Sequence, residues 1–171
     1  MRLYRCRICG DPYLGLAVPS NCPFCGAHEK YMVVGEEWCE PVTPEISEMS
    51  RKNIKKAIDL EVDNSKFYRD ISDATGDLMG KGLFKALSKI EAEHASTFLK
   101  FVDLPKPQPP EREISASYEE NLEEAHRREK RAVKFYTQAA AYAVEERVKE
   151  VFLALVEIES DHIELSRTGE E

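Results

Sequence analysis

The sequence predicts an all-α four-helix bundle preceded by a small module that folds around a metal. Three observations lead there. Four stretches after residue 45 carry apolar residues at a period near 3.6. Two Cys-x-x-Cys pairs fall within the first 25 residues, in a stretch broken up by Gly and Pro. Finally, a Glu and a Glu-x-x-His each recur at one offset of 68 residues, Glu61 with Glu129, and Glu91-Ala92-Glu93-His94 with Glu159-Ser160-Asp161-His162. The surroundings repeat too: Leu83-Phe84-Lys85-Ala86-Leu87 is echoed by Val151-Phe152-Leu153-Ala154-Leu155, and Lys66-Phe67-Tyr68 by Lys134-Phe135-Tyr136. A fixed offset of this kind marks a duplicated helix pair.

Composition bounds the alternatives. A chain of 171 residues suits one domain plus an appendage, and 42% hydrophobic with 33% charged residues suits a helix-rich globule. The net charge of -8 offers no basic face for nucleic acid. No apolar run approaches the roughly 18 residues of a membrane span, and Met1-Arg2-Leu3-Tyr4 begins no signal peptide, so a cytoplasmic location away from membranes is expected.

Residues 1–36 form the module. Gly10-Asp11-Pro12, Gly15, Pro19-Ser20-Asn21, Pro23 and Gly26 interrupt every apolar run, and so short a piece cannot bury enough surface to fold unaided. Residues 37–44 read as a linker and 45–171 as the bundle. The first helix is expected over 45–74, starting at Thr43 or Glu45 with Pro44 in its first turn, on the stripe Ile54, Ala57/Ile58, Glu61, Ser65, Tyr68 and Ile71/Ser72. The second spans 77–103 on Phe84, Leu87, Glu91, His94, Phe98 and Phe101/Val102, with Gly80 and Gly82 weakening its start. Lys106-Pro107-Gln108-Pro109-Pro110 cannot be helical. Ser117-x-x-Glu120 is a capping box that opens the third helix, with the stripe Leu122, Ala125/His126, Glu129, Ala132/Val133, Tyr136 and Ala139/Ala140. The fourth spans 146–167 on Phe152, Leu155, Glu159, His162 and Leu165/Ser166. Short links within pairs and a long link between them predict two antiparallel hairpins joined by one crossover, the ferritin-like arrangement.

The polar members of those stripes carry the chemistry. Glu61, Glu91, His94, Glu129, Glu159 and His162 all fall on apolar faces, where an unpaired carboxylate costs several kcal/mol. Two divalent cations balance four carboxylates. Glu and His at i and i+3 share a helix face and converge on one ion. The repeat places Glu91 and Glu159 as bridges, Glu61 and Glu129 as terminal ligands, and His94 and His162 as one cap on each ion. Mixed oxygen and nitrogen ligation suits Fe or Mn, with Zn as a substitute. His126, three residues before Glu129, is either a boundary histidine or a residue projecting into or just above the site as a ligand or proton-transfer group. Tyr68 and Tyr136 are either core aromatics, or hydroxyls that hydrogen-bond ligand glutamates or sit on an electron path.

Cys6-Arg7-Ile8-Cys9-Gly10 and Cys22-Pro23-Phe24-Cys25-Gly26 form two knuckles. The Gly after each second Cys permits the left-handed turn that aims N–H groups at sulfur. Four thiolates accept Zn(II) or a single Fe, and spacing alone leaves a structural zinc ribbon as the plain reading. Cys39 stands apart and reads as an inert thiol.

Cys22-Pro23-Phe24-Cys25-Gly26-Ala27, followed by Lys30-Tyr31-Met32-Val33-Val34, resembles the second half of a rubredoxin knuckle, and the twelve-residue gap between the pairs resembles the shortened rubredoxin module of rubrerythrins. With the duplicated Glu and Glu-x-x-His set, nearly the whole chain resembles a rubrerythrin with its modules in reversed order. The resemblance implies iron in the four-cysteine site and two irons in the carboxylate site. It also implies reduction of hydrogen peroxide to water, electrons passed on from an external reductase through the rubredoxin centre, and homo-oligomers, commonly head-to-tail dimers. One position departs from the family. Ala132 stands where rubrerythrins carry a further glutamate three residues after the third helix's ligand, so the six-ligand set resembles bacterioferritin-type centres. That keeps a ferroxidase or dioxygen-reducing role as the alternative, and a zinc-bearing sensing or interaction protein as a third.

Overall fold

The computed structural model describes residues 1–42 and 45–166. Strands β1 (Arg2–Cys6), β2 (Pro12–Gly15) and β3 (Met32–Val34) form an antiparallel sheet in the order β2-β1-β3. Helices α1 (Glu48–Ala74), α2 (Leu78–Leu99), α3 (Tyr118–Tyr142) and α4 (Glu146–Leu165) form the bundle, α1 packed along α2 and α3 along α4. None of the described helices is long and apolar enough to cross a membrane.

Local chemistry sets the ends. Helix α1 begins three residues later than expected, because Ser47 and not Thr43 or Glu45 caps it, accepting from the Ser50 N–H. Thr43 and Pro44 lie outside the described residues. Glu145, at the N-cap of α4, reaches across to accept from the Ser47 N–H at 2.5 Å and the Ser50 hydroxyl at 2.5 Å. Asp77 caps α2 through the Gly80 N–H, which offsets the weak glycine start. That helix ends at Leu99 and runs on to Val102 only as i to i−3 turns, with Pro105 soon after. Ser117 caps α3 as expected, accepting from the Glu120 N–H. In α4 the stripe stops short, since Leu165 is exposed.

Glu145 gives a first expected result. Burial acts against its charge, but the Ser47 N–H and Ser50 hydroxyl together outweigh it and pull its carboxyl down to about 2. A carboxyl depressed on folding adds stability above its unfolded value of about 4.3 and loses it as the pH falls toward 2. Glu145→Ala is expected to lower stability by about 1 kcal/mol, the usual worth of a cap, with the gap from wild type closing in melts run between pH 5 and pH 2.

The module is less separate than its composition suggests. Tyr4, Cys6, Ile8, Cys9, Cys22, Cys25 and Met32 belong to one buried cluster with Phe98, Val148, Leu155 and Ile158 of the bundle. Gly26 lies so close to α4 that a Cβ there would sit 3.2 Å from Ile158 Cγ2. Polar contacts seal the seam: Arg147 donates to the Ile8 carbonyl, Lys100 to the Cys9 carbonyl, and Lys30 and His28 pair with Glu157 and Asp161. Part of the expected linker is also tied down, with the Arg5 guanidinium 5.0 Å from the Trp38 ring centre and Trp38 donating to Glu40.

Candidate metal centres

All four sulfurs of Cys6, Cys9, Cys22 and Cys25 lie within 4.8 Å of one another, and all four residues are buried. Cys6 and Cys25 sulfurs are 3.7 Å apart, as are those of Cys9 and Cys22. Around a tetrahedral ion with bonds of about 2.3 Å, sulfurs stand roughly 3.8 Å apart, so this set fits such an ion. Gly10 and Gly26 adopt φ of 84° and 78°, as the knuckle reading requires. The Ile8 and Asp11 N–H groups point at the Cys6 and Cys9 sulfurs. Cys39 is exposed and apart from this set.

The bundle brings its six polar stripe residues together, each helix contributing from its inner face. Glu61, Glu91, His94 and Glu159 form one group with ligand atoms inside 4.8 Å, and Glu91, Glu129, Glu159 and His162 form another. Glu91 and Glu159 belong to both. Each group thus draws three residues from one hairpin and one from the other. His94 Nδ1 lies 3.6, 3.6 and 3.3 Å from oxygens of Glu61, Glu91 and Glu159, and His162 Nδ1 lies 3.3, 3.9 and 3.0 Å from Glu91, Glu129 and Glu159.

Whether the set fits metal ions is decided by its unpartnered atoms. Glu61 Oε2, both Glu91 oxygens, His94 Nδ1, Glu129 Oε2 and Glu159 Oε1 are buried without a hydrogen bond. Buried polar atoms are nearly always satisfied, and two cations among them would satisfy these. Electrostatics agrees. Burial, and then the charge of Glu91, pushes the Glu61 carboxyl far up; burial and Glu159 do the same to Glu129. Burial also opposes charge on Glu91, but the neighbouring Glu61 carboxyl and the His162 imidazole, 3.3 Å away, hold it low. On both histidines burial disfavours the imidazolium, yet Glu61 for His94 and Glu159 for His162 raise them well above the ordinary range. The site therefore collects positive charge as protons, which incoming cations displace.

Two further sets of contacts were only partly legible. Tyr68 donates to Glu129 and Tyr136 to Glu61, each bond crossing between hairpins, so both tyrosines are core aromatics and glutamate partners at once. His94 Nε2 lies 2.9 Å from the Cys25 carbonyl, which only accepts, so Nε2 carries the proton and Nδ1 is left facing the carboxylates. Residues 69 apart with no local pattern gave no sign of that bond. His126 pairs with Ser166 through Nδ1 at 2.8 Å and joins neither group, which favours the boundary reading.

A family model described as Rubrerythrin matches residues 52–168, a span holding all six carboxylate and imidazole residues. The chain belongs to the rubrerythrin family. Membership supports a carboxylate-type diiron protein of the ferritin-like superfamily, a family of oxidoreductases in general. The rubrerythrin match begins after the cysteine module, whose strands and sulfur geometry fit a rubredoxin-like unit on their own. No curated protein and no solved structure matches the chain.

Proposed function

We propose that this rubrerythrin, with its modules in reversed order, is a peroxidase. It reduces hydrogen peroxide to water at a diiron site supplied with electrons through a rubredoxin-type iron centre. Glu91 and Glu159, which belong to both groups, would bridge the ions, Glu61 and Glu129 would be terminal ligands, and His94 and His162 would each cap one. Cys6, Cys9, Cys22 and Cys25 hold the single iron, with Zn able to substitute in either centre. When bound, a ferrous pair supplies two electrons and Lewis acidity for breaking an O–O bond.

The observation that carries this reading is the bond between His94 and the Cys25 carbonyl, which joins the two ligand sets directly. Orienting His94 would serve any metal site, but a storage or sensing site needs no direct path to a second metal centre, whereas a site that spends two electrons per turnover must be refilled. Because the link lies within one chain, exchange of modules between chains is not required, although a homodimer or larger homo-oligomer is expected. Peroxide reduction to two waters consumes two protons. The hydroxyls of Tyr68 and Tyr136 hold protons against Glu129 and Glu61, inside the ligand set. An external reductase supplies the electrons, in the cytoplasm, with no nucleic-acid or membrane partner.

One observation favours the alternative, a ferroxidase or dioxygen-reducing iron-handling protein. Ala132 is fully buried, so the position where the family has a further glutamate faces the core and brings no carboxylate. Rapid mixing of fully reduced protein with peroxide, and separately with dioxygen, decides between them. The peroxidase reading expects oxidation at least tenfold faster with peroxide; equal rates, or faster oxidation by dioxygen, would transfer the assignment to the alternative.

A further inference from the structure

The bundle does more than touch the cysteine module: it surrounds the knuckles with charge. Lys100, just past α2, donates to the Cys9 carbonyl, and its Nζ approaches to 3.9 Å of where a Cβ on Gly10 would lie. Arg147, in the first turn of α4, donates to the Ile8 carbonyl at 3.0 Å. Both cations therefore bond to the backbone of one Cys-x-x-Cys loop. Arg147 also pairs with Glu150, which is shared with Arg7. On the other flank, Glu93 of α2 and Asp11 of the module bring carboxylate oxygens within 4.8 Å of the Cys9 sulfur.

We infer that these bundle residues set the reduction potential of the four-cysteine centre, Lys100 and Arg147 raising it and Glu93 lowering it. The inference rests on the iron reading of that centre. Reduction adds one electron and no proton, taking a four-thiolate iron unit from one net negative charge to two. A nearby cation stabilises the more negative form, and an anion destabilises it. The seam is partly desolvated, which weakens screening, so each charge counts for more than it would on an open surface. Lys100 and Arg147 act through the peptide groups of Cys9 and Ile8, and so are positioning residues in the redox sense.

The test is spectroelectrochemical titration of the full-length, iron-loaded protein, following the ferric-thiolate absorption. Lys100→Met and Arg147→Met are each expected to lower the midpoint by the equivalent of about tenfold in the redox equilibrium, about 59 mV for one electron. Glu93→Gln is expected to raise it by a similar amount, while Lys100→Arg keeps the wild-type value. A purely structural role predicts no such pairing of signs. Midpoints of Lys100→Met and Arg147→Met equal to wild type, or a downward shift in Glu93→Gln, overturn the inference and leave the iron reading intact. Absence of ferric-thiolate absorption in the wild type after iron reconstitution overturns both.

Discussion

Glu159→Ala is expected to reduce the carboxylate site from two ions per chain to one or none. Glu159 belongs to both ligand groups, so its loss strips one ligand from each, whereas loss of Glu61 or Glu129 strips only one group. Changes confined to the partners of metal ligands already cost 10- to 100-fold in affinity, and removing a shared ligand should cost at least ~100-fold. In chelator the variant should also be less stable: burial and the charge of Glu91 act against the fully buried Glu159 carboxylate, but the His162 and His94 imidazoles hold it below its ordinary range, and they would lose that partner. Metal analysis and binding titration of Glu159→Ala beside Glu123→Ala, an exposed glutamate on α3, give the comparison. Two tightly bound ions in Glu159→Ala would rule out the shared-ligand arrangement.

Cys9→Ala is expected to have the second large effect, unfolding the module while leaving the helices in place. The sheet has strands of 5, 4 and 3 residues, and much of what the module buries is its own cysteines. Metal binding supplies about 10 kcal/mol or more in folds of this kind, and little else here could replace it. The bundle keeps a cluster of its own around Phe67, Tyr68, Ile71, Phe84, Leu87 and Ala125. Hydrogen exchange should therefore show residues 1–36 exchanging fast with the helices still protected. His94 would lose its carbonyl partner, so a weaker hold on metal by the neighbouring group should accompany the change. Protected amides in β1 and β3 of the variant would show that the bundle alone suffices to fold the module.

What could be read from the chain follows from how local each cause is. The convergence of the six carboxylate and imidazole residues was legible because a helix converts spacing into direction, so a Glu and a His three apart must share a face. The duplication at 68 residues then excluded coincidence. The knuckle glycines were legible for a similar reason, since left-handed φ needs no knowledge of the rest of the fold. Helix α1 was misjudged at its start because part of its cap comes from Glu145, about a hundred residues away. The seam between module and bundle was illegible altogether. Arg147, Lys100 and Ile158 look like ordinary helix residues, and only the assembled molecule places them against the cysteines. Tyr68 and Tyr136 fall between these cases. Their stripe placed them in the core, but each hydroxyl finds its glutamate on the other hairpin.

That crossing has a consequence for how the molecule is put together. Each hairpin holds three members of one four-residue group, and the fourth, with the tyrosine that steadies Glu61 or Glu129, arrives only from the opposite hairpin. Neither half owns a finished site. Ions held there would act as rivets between two halves joined by a single chain crossover, and swinging one hairpin away would break into both groups at once. Loading metal in such a molecule would be inseparable from closing it.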